Sequence, residues 1–321
     1  MFAQNFPSKV LINEVATRDG FQSEEVFIPT EKKIDMINRL SLLGLNKIEV
    51  TSFVSPKAIP NLRDAEQVMA GITRHPNVTY VALVPNERGV ERALASKVDE
   101  VNLVMSVSES HNLANMRMTC DQSLVQFKQI VKRLEGSDIK INASLATAFG
   151  CPFEGITPPQ NVIDTIHKYL DIGVQSISVA DTTGMAAPRQ VYDLCTQIKE
   201  MFPSLETTLH LHNTRGMGLA NALAGINAGI VQLDASLGGI GGCPYAPGAT
   251  GNICTEDLVH MLESIGLNTG VDLASLLTIA RELPDLLGHD ISGQVAKAGL
   301  RTETRPLSNS VIELKRRMSQ Y

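Results

Sequence analysis

The sequence is poor in aromatic side chains. It contains no tryptophan, and Phe, Tyr and Trp together make up only 4% of its 321 residues. Hydrophobic residues nevertheless account for 43% of the chain and charged residues for 19%, which is not the composition of a disordered protein. We therefore expect a sizeable core built from Leu, Ile, Val, Ala and Met.

Long apolar runs and an excess of positive charge are also absent. No segment approaches the roughly 18 consecutive apolar residues of a membrane span, and the N-terminal segment has neither the apolar stretch nor the cleavage site of a secretory signal. A formal net charge of -6 disfavours nonspecific binding to nucleic acids or membrane surfaces. We therefore expect a cytoplasmic protein with no nucleic-acid partner and no membrane partner.

The five cysteines do not form a disulfide pattern. Their number is odd, the chain is long, and none of them lies in a CxxC pair, which favours free thiols in a reducing compartment. Four are expected to act as small buried hydrophobic residues: Cys120, Cys151, Cys195 and Cys254.

Short β-branched segments alternate with amphipathic helical ones. The eight candidate strands are Val10–Glu14, Lys47–Thr51, Thr79–Leu83, Glu100–Met105, Lys140–Ala146, Ser176–Ala180, Thr208–His212 and Gln232–Ala235. This alternation predicts an α/β fold, a TIM (β/α)8 barrel with a helical C-terminal extension. We expect one domain, with the barrel over about 8–260 and the extension over about 261–321. A doubly wound sheet is the alternative, but VATRDGFQ after the first strand lacks a GxGxxG turn.

Four of the intervening helices have clear ends. Each is followed closely by Gly or Pro, as helix termini often are. Thr30 is the predicted N-cap of the first. The four predicted helices are Thr30–Leu43, Pro159–Ile172, Pro188–Met201 and Leu219–Ala228.

Polar residues collect at the carboxyl ends of the predicted strands, where the active site of such a barrel lies. They are Arg18, Asp19, Gln22, Glu49, Thr51, Ser52, Thr147, Ser178, Asp181, Thr182, His210, His212, Asp234 and Ser236. A glycine-rich loop after the last strand, residues 238–252 (the glycine loop), adds Cys243 and Asn252. The other histidines are interpreted as ordinary.

His210 and His212 form the sharpest local signal. Residues two apart on a strand face the same side, so both imidazoles point into the barrel at its carboxyl end. Asp19 is a candidate third ligand and Asn252 a fourth, a set that suits Mg²⁺, Mn²⁺ or Zn²⁺. The alternative is that one histidine caps the strand and the other packs in the core.

Three further residues suggest chemistry. Cys243 lies in a flexible, polar glycine loop, where a thiol can exchange protons; a packing role is the alternative. Arg18 could stabilise a developing oxyanion or simply form a surface ion pair. Glu49 lies in the apolar segment IEV, where a carboxylate is costly unless paired, so we expect it beside Arg18 or near the site.

Five segments together resemble the 3-hydroxy-3-methylglutaryl-CoA (HMG-CoA) lyase family, over about Val10 to about Val271. They are VATRDGFQ, IEVTSFVSPK, ISVADTTG, HLHNTRG and GGCPYAPGATGNICTEDLVHML. The related isopropylmalate, homocitrate and citramalate synthases share RDG and HxHND but have a GERxGN-like segment in place of the cysteine loop. The cysteine loop therefore groups this chain with the lyases.

The resemblance implies a role for each matching residue. Asp19, His210, His212 and Asn252 match the metal ligands. Arg18 matches the arginine that stabilises the thioester enolate, Cys243 the catalytic cysteine and Glu49 the active-site glutamate, and Asp19 and Glu49 are candidates for the proton-accepting network. The residues that match the pocket lining are Gln22, Ser178, Asp181 and Thr182, with Arg18.

The implied activity is a metal-dependent retro-Claisen cleavage of HMG-CoA to acetyl-CoA and acetoacetate. The expected cofactor is a divalent cation, Mg²⁺ or Mn²⁺, the expected partner is an acyl-CoA thioester, and a homo-oligomer is the default assembly. Asn213 departs from the aspartate of the family pattern and could weaken the polarisation of His212, while Arg215 could favour a longer acidic substrate. A lyase for a citramalyl- or methylmalyl-type thioester, a condensing synthase and a binding barrel are the alternatives.

Overall fold

Eight parallel strands close into a barrel, which confirms the predicted fold class. The structure, a computed structural model, describes residues 6–242, 245 and 250–319. Each barrel strand pairs with the barrel strand that follows it in the sequence. The last strand pairs with the first, and Asn13 lies opposite Asp234 in that pair. The barrel strands are β1 Leu11–Glu14, β2 Lys47–Ser52, β3 Thr79–Leu83, β4 Glu100–Ser106, β5 Lys140–Ala146, β6 Ser176–Asp181, β7 Glu206–Leu211 and β8 Gln232–Ala235.

Strand β7 differs most from its predicted bounds. It begins two residues earlier than expected and ends at Leu211. His212 instead forms an isolated antiparallel bridge with Asn252. The chain that returns from the glycine loop therefore pairs with the residue that follows the strand, and this pairing brings two predicted ligands together.

Thirteen α-helices lie in the described part of the chain. They are α1 Thr30–Leu40, α2 Ala65–Gly71, α3 Glu87–Ala95, α4 Glu109–Met116, α5 Cys120–Leu134, α6 Pro159–Asp171, α7 Pro188–Met201, α8 Gly218–Asn227, α9 Thr255–Ser264, α10 Leu273–Ala280, α11 Leu283–Leu287, α12 Gln294–Ala298 and α13 Asn309–Met318. A small hairpin pairs Gly150–Cys151 with Gly155–Ile156.

The predicted cap of α1 is wrong. Pro29 occupies the N-cap position and has no side-chain cap, while Thr30 is already helical. The Thr30 hydroxyl donates to Asp64 Oδ2 at 2.8 Å, a partner outside the helix, so it does not serve the free backbone amides. The helix also ends at Leu40, three residues before the predicted end, and a turn follows it.

The aliphatic core lies between the strands and the surrounding helices. Large apolar side chains such as Ile37, Ile48 and Leu209 are fully buried there. The inside of the barrel is largely polar, however, and holds a cavity of about 30 Å³ lined by side chains that include Asn13, Glu49 and Asn102. A polar interior differs from the branched aliphatic filling usual in this fold.

The C-terminal helices change in character along the chain. Helices α10 and α12 pack against α9, whereas α13 has no buried residue. None of the helices described is long and apolar enough to cross a bilayer. The cysteines described, which exclude Cys243, are free thiols, as expected.

Candidate active site and metal centre

A π-helical turn at Ala16–Gly20 carries the first two functional side chains. It follows β1 directly, and the amides of Arg18 and Asp19 both donate to Val15 O, at 3.1 and 2.7 Å. Such widened turns often occur at functional sites. The turn places Arg18 and Asp19 side by side at the barrel rim, with Arg18 Nη1 2.5 Å from Asp19 Oδ1.

Glu49 pairs with Arg18, as the sequence predicts. Arg18 Nε and Nη2 approach Glu49 Oε2 at 2.7 and 2.6 Å, and Asn102 Nδ2 donates to Glu49 Oε1 at 3.1 Å. Burial opposes the charge on Arg18, but Glu49 and Asp19 outweigh burial and raise the pKa of the guanidinium. Arg18 therefore remains a fixed positive charge at the rim.

The two histidines converge on Asp19. His210 Nε2 lies 3.2 Å from His212 Nε2 and 4.0 Å from Asp19 Oδ2, and one potential ligand atom from each of the three residues lies within 4.8 Å of the others. His212 Nδ1 is buried and has no hydrogen-bond partner among the described residues. Two ring nitrogens and a carboxylate that face one point form a donor set for a single divalent cation.

The protonation states also fit a cation. Burial would raise the pKa of Asp19, but Arg18 and the two histidines outweigh it and lower that pKa. Burial, aided by the charge of His210, lowers the pKa of His212 to about 4. At neutral pH the carboxylate is thus charged and His212 is neutral, the forms that bind metals.

Asn252 meets this cluster through its side chain. Its amide group donates to Asp19 Oδ2 at 2.7 Å and to Ile240 O at 3.1 Å. To act as a ligand it would have to turn its carboxamide so that the oxygen faces the cation. The residues present otherwise fit the expected metal in number and type.

Two glycines allow this close packing. Gly241 has a φ of 92°, and a Cβ there would lie 2.8 Å from Asp19 O and 2.9 Å from Asn252 Nδ2. At Gly251, with a φ of 96°, a Cβ would lie 2.2 Å from Gly239 O. A larger residue at Gly241 would therefore clash with Asp19, and one at Gly251 would clash with the backbone of the glycine loop itself.

The predicted pocket residues have different environments. Asp181 accepts from the amides of Met185 and Ala186 at 2.8 and 3.1 Å, and burial raises its pKa to about 6. Thr182 Oγ1 accepts from the amide of Thr147 at 2.9 Å. These two side chains therefore stabilise the turns after β6 and β5.

Ser178 and Gln22 complete the predicted pocket set. Ser178 accepts from Asn142 at 3.1 Å and lines the interior cavity together with Glu49, below the rim. Gln22 Oε1 is buried and has no partner among the described residues. Cys243, the predicted catalytic thiol, lies outside the described residues.

The two residues that depart from the resemblance make their contacts away from the candidate metal ligands. Asn213 Oδ1 accepts from the amide of Gly218 at 3.0 Å, at the start of α8. Arg215 Nη1 donates to the carbonyls of Thr183 and Gly184 at 3.1 and 2.8 Å. Among the described residues, no contact joins the Asn213 side chain to His212, so the expected effect of Asn213 on that ring has no support. The Arg215 guanidinium stabilises the loop after β6.

The sequence places Asp234 among the rim residues but does not predict its contact with the histidine pair. Asp234 Oδ2 lies 3.1 Å from His210 Nδ1. The alternation of β8 places Asp234 inside the barrel, but only the pairing of β7 with β8 sets it beside His210, with which it is in register.

His111 is also less ordinary than expected. It is buried, it bonds Ser106 Oγ through Nδ1 at 2.7 Å, and its ring lies edge-on to Tyr245 with centroids 5.5 Å apart. The Tyr245 hydroxyl donates to Ala114 O in α4 at 2.9 Å. Tyr245 of the glycine loop therefore contacts the helix that follows β4.

Comparison with known proteins assigns the chain to a family. The profile of the HMGL-like family matches residues 9–283, most of the chain. The chain belongs to the HMGL-like family. Among its relatives, the hydroxymethylglutaryl-CoA lyase YngG of Bacillus subtilis (strain 168) is 45% identical over 286 residues, which cover 89% of this chain and 96% of the relative.

Two further relatives extend the comparison. An (R)-citramalyl-CoA lyase from Chloroflexus aurantiacus is 40% identical over 300 residues, covering 90% of this chain and 95% of the relative. The solved structure of an HMG-CoA lyase from Acinetobacter baumannii in complex with coenzyme A and 3-methylmalate is 51% identical and superposes with a TM-score of 0.91. That match covers 95% of this chain and 100% of the other.

Proposed function

We propose that this protein is a divalent-metal-dependent lyase that cleaves HMG-CoA to acetyl-CoA and acetoacetate. The observation that carries the proposal is the convergence of Arg18, Asp19, His210 and His212 at the carboxyl rim of the barrel. The similarity to named HMG-CoA lyases over most of the chain supports the same reaction. Mg²⁺ or Mn²⁺ is the proposed ion.

The residues that would hold the cation are Asp19, His210, His212 and, with its carboxamide turned, Asn252. When bound, the cation supplies Lewis acidity that makes the 3-hydroxyl of the substrate easier to deprotonate. A network of water or carboxylate groups around Asp19 and Glu49 receives that proton.

The remaining steps fall to Arg18 and Cys243. Cleavage of the C2–C3 bond leaves its electron pair on the acetyl-CoA enolate, while C3 becomes the ketone of acetoacetate. Arg18 stabilises the enolate oxygen with a charge that Glu49 holds in a fixed position. We assign to Cys243 the donation of a proton to C2, which completes acetyl-CoA.

A related thioester is the second candidate substrate. The similarity to an (R)-citramalyl-CoA lyase supports a citramalyl-type substrate. Its cleavage would use the same residues and differ only in the keto acid released. We further propose that the chain acts as a single catalytic domain, as a homo-oligomer and in the cytoplasm.

The test is a panel of thioesters with Mg²⁺ and separately with Mn²⁺. HMG-, citramalyl- and methylmalyl-CoA are each incubated with the enzyme, and the released acyl-CoA and keto acid are followed by mass spectrometry. We expect HMG-CoA to have the highest kcat/KM and exhaustive chelation to abolish turnover. Condensation of acetyl-CoA with a 2-keto acid, without cleavage of any thioester, would replace this proposal with a synthase.

A further inference from the structure

We propose that Asp234 is a positioning residue that fixes the ring orientation and tautomer of His210 for cation binding. The inference rests on the proposed metal site and concerns how that site is preorganised. It assigns a role to a carboxylate that is neither a metal ligand nor a substrate contact in the proposed function.

The contact follows from the pairing of three neighbouring strands. Asn13 of β1 lies opposite Asp234 of β8, and Asp234 lies opposite His210 of β7. All three side chains face the inside of the barrel, and Asn13 and Asp234 line the interior cavity. Strand register thus presents one carboxylate to His210 and to Asn13 at once.

Both oxygens of Asp234 are used. Oδ2 meets His210 Nδ1 at 3.1 Å, and Oδ1 accepts from Asn13 Nδ2 at 2.8 Å. Asn13 is held in turn, because Asn46 Nδ2 donates to its Oδ1 at 3.0 Å. The chain Asn46–Asn13–Asp234 therefore fixes the carboxylate plane that His210 meets.

This arrangement selects one form of the imidazole. Asp234 Oδ1 accepts from Asn13, and Oδ2 is placed to accept from His210 Nδ1, which favours the tautomer with the proton on Nδ1. In the neutral ring, the lone pair is then on Nε2, the atom that faces His212 and Asp19. A carboxylate behind a ligating histidine sets its orientation and strengthens its basicity.

His212 provides an internal contrast. It is on the same side of the chain and turns Nε2 to the same point, but its Nδ1 has no partner among the described residues. His210 is therefore the preorganised ligand of the pair, whereas no contact of this kind with a described residue fixes the His212 tautomer. Removal of the Asp234 carboxylate should make His210 resemble His212.

Other charges around His210 shape the design of the test. Arg18, Asp19 and Asp181 also act on this ring, so the loss of any nearby carboxylate weakens cation binding in a general way. Asp181→Asn removes such a charge without removing the bond to His210 Nδ1, and it serves as the matched control. Asn13→Ala leaves the carboxylate in place but frees its second oxygen, and it should have an intermediate effect.

The experiment measures two properties of metal-stripped protein. The Kd for Mn²⁺ alone is obtained from the electron paramagnetic resonance signal of the free ion. The tautomer of His210 is obtained from ¹⁵N–¹H correlation spectra of histidine-labelled protein, with the His210 signals assigned by their loss in His210→Gln. Dispersed amide spectra confirm that each variant is folded.

Asp234→Asn should raise the Kd for Mn²⁺ by about 10- to 100-fold, clearly more than Asp181→Asn does. Its His210 should lose the uniform Nδ1–H form that we expect in the unchanged protein. Equal affinity losses in the two variants, or an unchanged His210 tautomer, would overturn the positioning role alone. Failure of the unchanged protein to bind Mn²⁺ would instead overturn the proposed metal site.

Discussion

Charged side chains lie at both mouths of the barrel, but the two groups are paired differently. At the amino end Lys47 and Glu100 are buried, Glu206 is exposed, and the three form one ion-pair group. All three are the first residues of their strands. Lys47 Nζ donates to both oxygens of Glu100, at 3.0 and 2.7 Å, and to Glu206 at 2.9 Å. An ammonium group has three protons, and all three have acceptors here.

At the carboxyl end Arg18 is paired with Glu49 and Asp19, but the imidazole nitrogens that face Asp19 are not satisfied in this way. Two imidazole nitrogens face each other at 3.2 Å, and His212 Nδ1 has no partner in the part of the chain that the structure describes. The comparison teaches that buried charge alone does not identify a functional site. The distinguishing feature is donor atoms directed at a shared point instead of at one another.

Asp19→Asn should sharpen the contrast most strongly. We expect weaker Mn²⁺ binding and a fall in kcat of about 1,000-fold. The variant loses the charged ligand, and with it the several kcal/mol by which a bound cation stabilises the charge of the transition state. Arg18 keeps its contacts with Glu49, so thermal stability should change little. Turnover with added Mg²⁺ and thermal unfolding test both statements. Full turnover in this variant would show that Asp19 is structural, like the charges at the other mouth.

Cys243→Ser tests the proton donor that we place at the same mouth. Serine is a much weaker acid than cysteine, so kcat should fall by about 100-fold or more while the Mn²⁺ affinity remains. Cys195→Ser in helix α7 is the matched control and should retain kcat. Unchanged turnover after the Cys243 substitution would assign this thiol to packing.

Lys47→Met should lower the stability of the protein and leave kcat nearly unchanged, the reverse of what we expect for Asp19→Asn. It leaves the buried carboxylate of Glu100 without its cation, which typically lowers the free energy of unfolding by about 3–5 kcal/mol. Urea denaturation measures this loss, and kcat should remain within about twofold while the protein is folded. Lys47→Met combined with Glu100→Leu should recover part of the stability. A large loss of kcat in the folded single variant would contradict a purely structural role for this mouth.

Glu256 lies near the carboxyl mouth but is expected to affect only stability, through the pH dependence of the free energy of unfolding. It lies behind the glycine loop, where Oε2 accepts from Gly238 N at 3.0 Å, and burial raises its pKa from 4.5 to about 8. Between these values the folded protein holds a proton that the unfolded chain releases. Stability should therefore decline as pH rises from about 4.5 to about 8.

Glu256→Gln should remove that decline. Relative to the unchanged protein, its free energy of unfolding should increase between pH 5 and pH 9 by on the order of a few kcal/mol, as urea denaturation at both pH values would reveal. Glu263→Gln, at an exposed position of the same helix, is the control and should show no such trend. A difference that does not vary with pH would mean that Glu256 is ionised throughout.

Much of the fold could be predicted because its signals are local. The eight strands follow from short apolar segments, and the pairing of Glu49 with Arg18 follows from the cost of an unpaired carboxylate in a strand. The side of the barrel that His210 faces follows from the two-residue repeat of a strand. The N-cap prediction for Thr30 is wrong, because the Thr30 hydroxyl donates to Asp64, 34 residues away. Local propensity cannot reveal a contact at that separation.

The sequence by itself determined the barrel, the rim on which the polar residues gather and the residue types suited to a divalent cation. Only the tertiary structure decided the π-turn that places Arg18 beside Asp19, the direction of Asn213 away from His212, and the contact of Asp234 with His210. Strand periodicity is a property of each segment alone. Contacts between segments far apart in the chain depend instead on strand register and loop path, which exist only once the barrel has closed.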